Sequence, residues 1–257
     1  MSSLVTVDVS NGLAKLTLQN PGRRNAIDAP LAAELVKACD AIDADESVGA
    51  VVVRGAGGYF CSGGDRDELA AVCKDPTSTA AMNVISTIYA AFLRVGSLQP
   101  LTISAVRGGA LGAGLNLALA TDLRVVADDA TIGSGFLGLG VHPGGGHFHL
   151  LRSLAGSEAA AALGLAGQTI DGTRAQQLGI AWASCPDDEV EATAVALART
   201  AAADPELARR AKASFVLQPG TGGTSWPAAV AVERAPQLWS FARKGAQAWT
   251  ARERPLE

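Results

Sequence analysis

The sequence predicts an α/β fold with a parallel sheet built through βα crossovers, on three observations. A short apolar strand, a glycine-rich loop and a helix follow one another twice in the first half, at residues 49–69 and 101–121. The strands of these units barely alternate between apolar and polar residues, as strands covered on both faces do. After residue 150 the pattern becomes mostly helical without any linker of domain-separating composition, so the helices are expected to pack on the same unit.

The elements follow in order. Leu4, Val5, Val7 and Val9, then Asn11-Gly12, then Leu13–Leu18 read as a β-hairpin, with Asn-Gly supplying the positive-φ turn. Asn20-Pro21-Gly22 ends the second strand. Asp28 can cap a helix with Pro30 in its first turn, where proline's missing N–H costs nothing. Leu31, Leu35, Cys39 and Ile42 give that helix a buried stripe. GAVVVRG at 49–55 is a strand that empties into the loop GAGGYFCSGGDRDEL at 55–69 and a short helix. Residues 80–95 form a long apolar-periodic helix ending before Pro100. LTISAV at 101–106 is the next strand, RGGALGAG at 107–114 a second glycine-rich turn, 115–121 a helix and 122–127 a further strand. Helices are expected at 154–166, 173–180, 188–204, 205–215 and 227–249, with one strand-like piece at 180–184 and a flexible break, GTGG, at 220–223.

Composition narrows the function. The 257 residues suffice for one large core. With 48% hydrophobic and 18% charged residues, the chain falls in the range of ordinary globular proteins. A net charge of -4 argues against a nucleic-acid partner, which needs a concentrated basic surface; it leaves room for a local pocket that binds a small anion. Cys39, Cys61, Cys73 and Cys185 are too widely spaced for a zinc-ligand rhythm, and no metal is expected. The start MSSLVTVDVS has neither the basic nor the apolar region of a secretory signal, and no apolar run reaches the ~20 residues of a membrane helix. A cytoplasmic location without membrane insertion is the expectation.

The two glycine-rich loops carry the chemistry. A strand that turns directly into a helix leaves backbone N–H groups unpaired in the first turn, a natural place for a negative oxygen. Two such places at neighbouring strand ends could hold one oxygen between two N–H groups, as an enolate or tetrahedral adduct of a thioester requires. The plain alternative is two tight turns in a chain with 29 glycines. Neither loop is a phosphate fingerprint, since no GxGxxG follows the first strand and GxxxxGK[ST] is absent.

The wording of four segments goes further. ISAVRGGALGAGLNLALATDL at 103–123, YFCSGGDRDEL at 59–69, NPGRRNAID at 20–28 and KGAQAWTARERP at 244–255 resemble, in that order, segments of the crotonase superfamily, the enoyl-CoA hydratase/isomerase family. The resemblance implies a crotonase-type spiral of repeated ββα units over residues 1–200, carrying the acyl-CoA site. It implies a C-terminal helical trimerisation region at 201–257, a homotrimer or dimer of trimers, and an acyl-CoA thioester as substrate. Coenzyme A then enters as part of the substrate, with no separate cofactor. The resemblance puts the two oxyanion-hole N–H groups on Gly64 and Ala113, inside the small triplet Gly112, Ala113 and Gly114. It puts Arg24 near the phosphates, where a guanidinium offers charge and a donor fork, with Arg23 either exposed or a further contact. Ala26, Ser62, Gly64 and Asp65 fall on the groove for adenine and pantetheine, Asp65 as a loop-ordering or helix-capping residue rather than a phosphate contact.

The same resemblance exposes a departure. Where the hydratases of the family carry two glutamates as base and acid, this chain has Asn116 and Phe136, and the alternative aspartate position is Gly144. Hydration by the standard route is expected to be weak or absent. Asn116 can orient a water or the thioester, or bond within its helix. Of the three histidines, His142 is the best remaining acid or base, with a loop or packing role as its alternative. His147 and His149 are expected to begin the next helix, in subunit contacts or capping. Cys61 is a nucleophile or a buried small side chain, and Tyr59 and Tyr89 are possible donors without a pose.

Three functions compete. One is an acyl-CoA enzyme that stabilises an enolate with non-standard acid–base residues, as in isomerisation, decarboxylation, thioester hydrolysis or a poor hydration. The second is a non-catalytic acyl-CoA-binding protein, and the third a structural protein. Trp226, Trp239, Phe241 and Trp249 in the last helices favour subunit association.

Overall fold

The hairpin forms where Asn11-Gly12 directs it. In the computed structural model, which describes residues 3–217 and the single positions Ala228, Ala235 and Trp239, strands β1 (Val5–Ser10) and β2 (Leu13–Leu18) pair antiparallel with Ser10 opposite Leu13. Asn11 and Gly12 sit at φ 50° and 76°, the positive values such a two-residue turn demands. Helix α1 (Ala29–Ala44) starts where expected, the Asp28 carboxylate accepting from the Leu31 N–H at 2.8 Å, and it buries Leu31, Ala32, Leu35, Cys39 and Ile42.

The chain then runs through β3 (Ala50–Gly55), α2 (Arg66–Val72), α3 (Thr79–Gly96), β4 (Leu101–Val106), β5 (Gly109–Leu111), α4 (Ala113–Leu119), β6 (Leu123–Ala127), β7 (Thr131–Gly133) and α5 (His147–Gly164). It continues with β8 (Thr169–Ile170), α6 (Gly172–Gln177), β9 (Ala183–Cys185), α7 (Val190–Ala203) and α8 (Pro205–Val216). A six-stranded sheet has the order β1-β2-β3-β4-β6-β9, parallel from β2 onward, and a three-stranded sheet has the order β5-β7-β8. The units β4-β5-α4 and β6-β7-α5 are successive strand–strand–helix repeats, in which the first strand joins the large sheet and the second the small one. This repetition is the spiral that the resemblance implied.

Several details differ from expectation for local reasons. Strands β5, β7 and β8 have only two or three residues each and exist through long-range pairing, not through a sequence pattern. The helix expected from residue 154 begins at His147 and is broken internally at Gly156 (φ 78°, ψ 178°). The strand expected at 180–184 lies at Ala183–Cys185. The helix expected at 227–249 and the GTGG break lie outside the described residues, apart from the three single positions.

Val51, Val52 and Val53 of β3 are buried on both faces, the reason their run does not alternate. Helix α7 covers the sheet with Val190, Ala194 and Ala198. Helix α8 is fastened by two cations. Arg209 donates to the carbonyls of Ile42, Asp43, Asp45 and Val48, closing the C-terminal end of α1. Buried Lys212 pairs with Asp122 at 2.6 Å and donates to Pro100 O at 2.9 Å. Among the described residues no helix is long and apolar enough to cross a membrane, and no cluster of His, Cys, Asp and Glu could hold a metal ion.

Candidate active site

Three separate segments meet at the ends of β3 and β4. Residues 61–65 lie between the loop before α1 and strand β5, through isolated parallel bridges of Gly64 with Ile27 and of Cys61 with Ala110. Ile27 N–H donates to Gly63 O at 2.8 Å and Asp65 N–H to Ile27 O at 2.9 Å. That pairing turns the N–H of Gly64 away from Ile27. On the other side, Leu111 N–H donates to Cys61 O at 3.2 Å. Gly63 (φ 109°) sits so close that a Cβ on it would stand 2.9 Å from Leu111 O and 3.7 Å from Ala113 N.

Ala113 is the first helical residue of α4, so its N–H has no partner within the helix. The preceding residue, Gly112, takes φ 53° and ψ -118°, a conformation that side chains resist. Neither Gly64 N–H nor Ala113 N–H has a hydrogen-bond partner among the described residues. Two backbone donors brought together in this way can hold a developing oxyanion.

The segment before α1 is positioned by a residue the sequence reading did not single out. Asn25, fully buried at φ 54°, accepts from Asn20 N–H at 2.9 Å and donates to the carbonyls of Ala56 and Tyr59 at 3.0 and 2.7 Å. Its signal was an asparagine in an NPGRRN turn, a residue type that tolerates left-handed backbone. Arg24, also left-handed at φ 50°, is exposed and lies over the Tyr59 ring at 5.4 Å. Ala26 is buried, and Ser62 ties this segment to the loop, its N–H donating to Arg24 O at 3.0 Å and its hydroxyl to Arg23 O at 3.2 Å. Asp65 caps α2 through the N–H groups of Asp67 and Glu68 and pairs with Arg23, which also reaches Asp67 at 3.1 Å. Burial raises the Asp65 pKa, but the Arg23 hydrogen bond and the capping N–H groups outweigh it and leave the carboxyl below its ordinary value. Burial pushes the Cys61 thiol up to about 12, so it is a small core side chain and no thiolate.

Asn116 lies one turn into α4, its N–H donating to Gly112 O at 3.0 Å, and is buried. Its Nδ2 donates to Gly144 O at 3.0 Å, and its Oδ1 lies 2.7 Å from Nδ1 of His147. His147 is buried, and burial lowers its pKa to about 4. Phe136 packs edge-on against it with ring centroids 5.0 Å apart, and Phe148 lies on it at 6.0 Å. His142 stands on the exposed loop before α5, its Nδ1 2.7 Å from Pro143 O. The structure thus brings Gly64, Gly112, Ala113 and Asn116 together with His147, a residue expected to serve capping or subunit contacts. The feature that marks His147 is tertiary: it follows three glycines in GGGH, which lets the chain turn back onto α4.

Known proteins similar to this chain identify its family. A family model described as enoyl-CoA hydratase/isomerase matches residues 8–225. The Mycobacterium tuberculosis protein named "Probable enoyl-CoA hydratase EchA14" is 38% identical over 211 residues, 82% of this chain and 80% of its own. The crystal structure of an enoyl-CoA hydratase from Bacillus anthracis superposes with a TM-score of 0.86 at 25% identity, covering 98% of each chain. That of a Thermobifida fusca YX protein in complex with acetoacetyl-CoA gives 0.80 at 29% identity, covering 94% of this chain and 96% of that one.

Proposed function

This chain belongs to the enoyl-CoA hydratase/isomerase family, and from that premise we propose that it holds the carbonyl oxygen of an acyl-CoA thioester between the N–H groups of Gly64 and Ala113 and works through the resulting enolate with acid–base groups other than paired carboxylates. The observation that carries the reading is the pair of N–H groups without a partner among the described residues, Gly64 on the bridged 61–65 segment and Ala113 at the start of α4 beside it. A carbonyl oxygen that gains negative charge in the reaction is held more tightly there as the charge grows, which is what lowers a barrier. Arg24, exposed and beside Tyr59, meets the 3′-phosphoadenosine end of the coenzyme. Asn116 and Phe136, where the resemblance puts two glutamates, cannot exchange a proton as carboxylates do.

The same reading makes the active species a homotrimer or a dimer of trimers. It is supported by the exposed Leu137, Leu139 and Val141, close together in the chain after Phe136, and by the exposed Trp182 and Phe215, apolar side chains that a subunit contact would cover. Two measurements test the proposal. Calorimetry should show binding of butyryl-CoA, and failure to bind would overturn it. Hydration of crotonyl-CoA should run far below ordinary enzyme turnover of about 1–10³ s⁻¹; turnover in that range would mean that the placement of the catalytic positions at Asn116 and Phe136 is wrong.

A further inference from the structure

Two buried side-chain atoms have no hydrogen-bond partner among the described residues, Ser134 Oγ and His147 Nε2. The second has a defined protonation state. Asn116 must present its Nδ2 hydrogens to Gly144 O, because its own oxygen could not bond a carbonyl. Its Oδ1 therefore faces His147 Nδ1, and that nitrogen must carry the hydrogen. What remains is a bare lone pair on Nε2, buried, with no donor to meet it among the described residues. Buried acceptors of this kind are uncommon, and a catalytic role is one explanation for them.

The location points to one. Asn116 is one helical turn from Ala113, whose N–H is one of the two unpartnered donors. The Phe136 ring spans the gap: its Cζ lies 3.8 Å from where a Cβ on Gly112 would stand, and its centroid is 5.0 Å from that of His147. An acyl chain whose carbonyl sat at Ala113 would lie beside Phe136, the ring that also packs on the imidazole.

We propose that His147 Nε2 is the proton acceptor at the acyl end of the thioester, with Asn116 as the positioning residue that fixes its tautomer. The inference rests on the reading that the thioester carbonyl lies between Gly64 and Ala113. In the step it performs, the Cα–H bond breaks, the proton bonds to Nε2, and the electron pair moves into the enolate, whose oxygen takes the negative charge between the two N–H groups. The imidazolium keeps its Nδ1–H on Asn116 Oδ1, and return of the proton to Cα or another carbon of the acyl group restores neutrality. Burial, which holds the imidazole neutral through the neutral pH range, keeps the lone pair available; it also makes the imidazolium costly unless an enolate forms beside it.

The test is deuterium exchange at Cα of butyryl-CoA in D2O, read by mass spectrometry, beside calorimetric affinity for the same thioester. The wild type should exchange, and His147→Gln should slow exchange by about 100-fold or more with affinity retained. Asn116→Ala should slow exchange and convert the single Nδ1–H tautomer of His147, followed by ¹⁵N NMR, into a mixture. Undiminished exchange in His147→Gln, or a wild type that binds without exchanging, overturns the role of His147. A wild type that binds no acyl-CoA overturns the carbonyl-holding reading beneath it. If His147→Gln does not fold, the wild-type Nε2 resonance decides: it shifts on addition of butyryl-CoA if the inference holds and stays unmoved if it is wrong.

Discussion

A Cβ placed on Gly145 would stand 2.4 Å from Cζ of Phe92 and 3.1 Å from Nδ2 of Asn116. The residue also sits at φ 67°, where side chains are strained. Gly145→Ala must therefore push aside a fully buried ring or the amide that holds His147. A loss of about 1–3 kcal/mol is expected, read from urea denaturation. Wild-type stability in this variant would show that the loop does not pack on Phe92 as described.

The depressed pKa of His147 has a consequence for stability. Its folded value, about 4, lies below the ordinary 6.5, and burial alone accounts for the shift. Between those values the unfolded chain binds a proton that the folded chain does not. Stability is therefore intact above about pH 6.5 and falls as pH drops towards 4, by at most about 3 kcal/mol. Denaturation midpoints measured across this window should decline in the wild type and decline less in His147→Gln. Asp65, Asp45 and Glu34, each held below the usual carboxylate value, withdraw their contributions only at lower pH, as each protonates in the folded state.

Proline at position 113 deletes one backbone donor without asking the helix for anything it lacks. The first helical position tolerates proline because its N–H has no helical partner. Ala113→Pro should fold, as circular dichroism would verify, and should lose about 10²–10³-fold of the rate of α-proton exchange. An unchanged rate would remove Ala113 from the site.

Arg24 offers an exposed charge next to Tyr59. Arg24→Ala should weaken binding of an acyl-CoA by about 1.5–3 kcal/mol if a charged hydrogen bond to phosphate is lost. The same substitution should leave binding of the pantetheine thioester, which has no adenine nucleotide, unaltered. Equal affinities of wild type and variant for the full acyl-CoA would cancel the assignment.

What could be read from the sequence was what is local. The Asn11-Gly12 turn, the Asp28 cap and the stripe of Leu31, Leu35, Cys39 and Ile42 depend on neighbours within a few residues and came out as expected. Strand β7 has no such pattern; its three residues are a strand because β5 and β8 flank them. The proposed roles of Gly64 and Ala113 come from the wording of their loops; the fold adds that their segments are clamped together. His147 was legible as a helix start and not as the partner of Asn116, since that contact joins residues 31 positions apart and depends on how α5 packs on α4. His142 shows the reverse case: its place before Pro143 drew attention, and its ring bonds the carbonyl next door.

The two unpartnered N–H groups belong to the main chain, and their spacing comes from ladder contacts such as Leu111 N–H to Cys61 O. Every amino acid except proline carries that N–H, so a substitution at position 64 or 113 can crowd the pocket but rarely erases the donor. The groups that would move protons are side chains, and a single codon change can replace any of them. Inheritance thus treats the two halves of the site differently. On the proposed reading the carbonyl holder would persist under mutation while the reaction on the held carbonyl drifted, and a lineage could exchange paired carboxylates for an imidazole and an amide without rebuilding the scaffold.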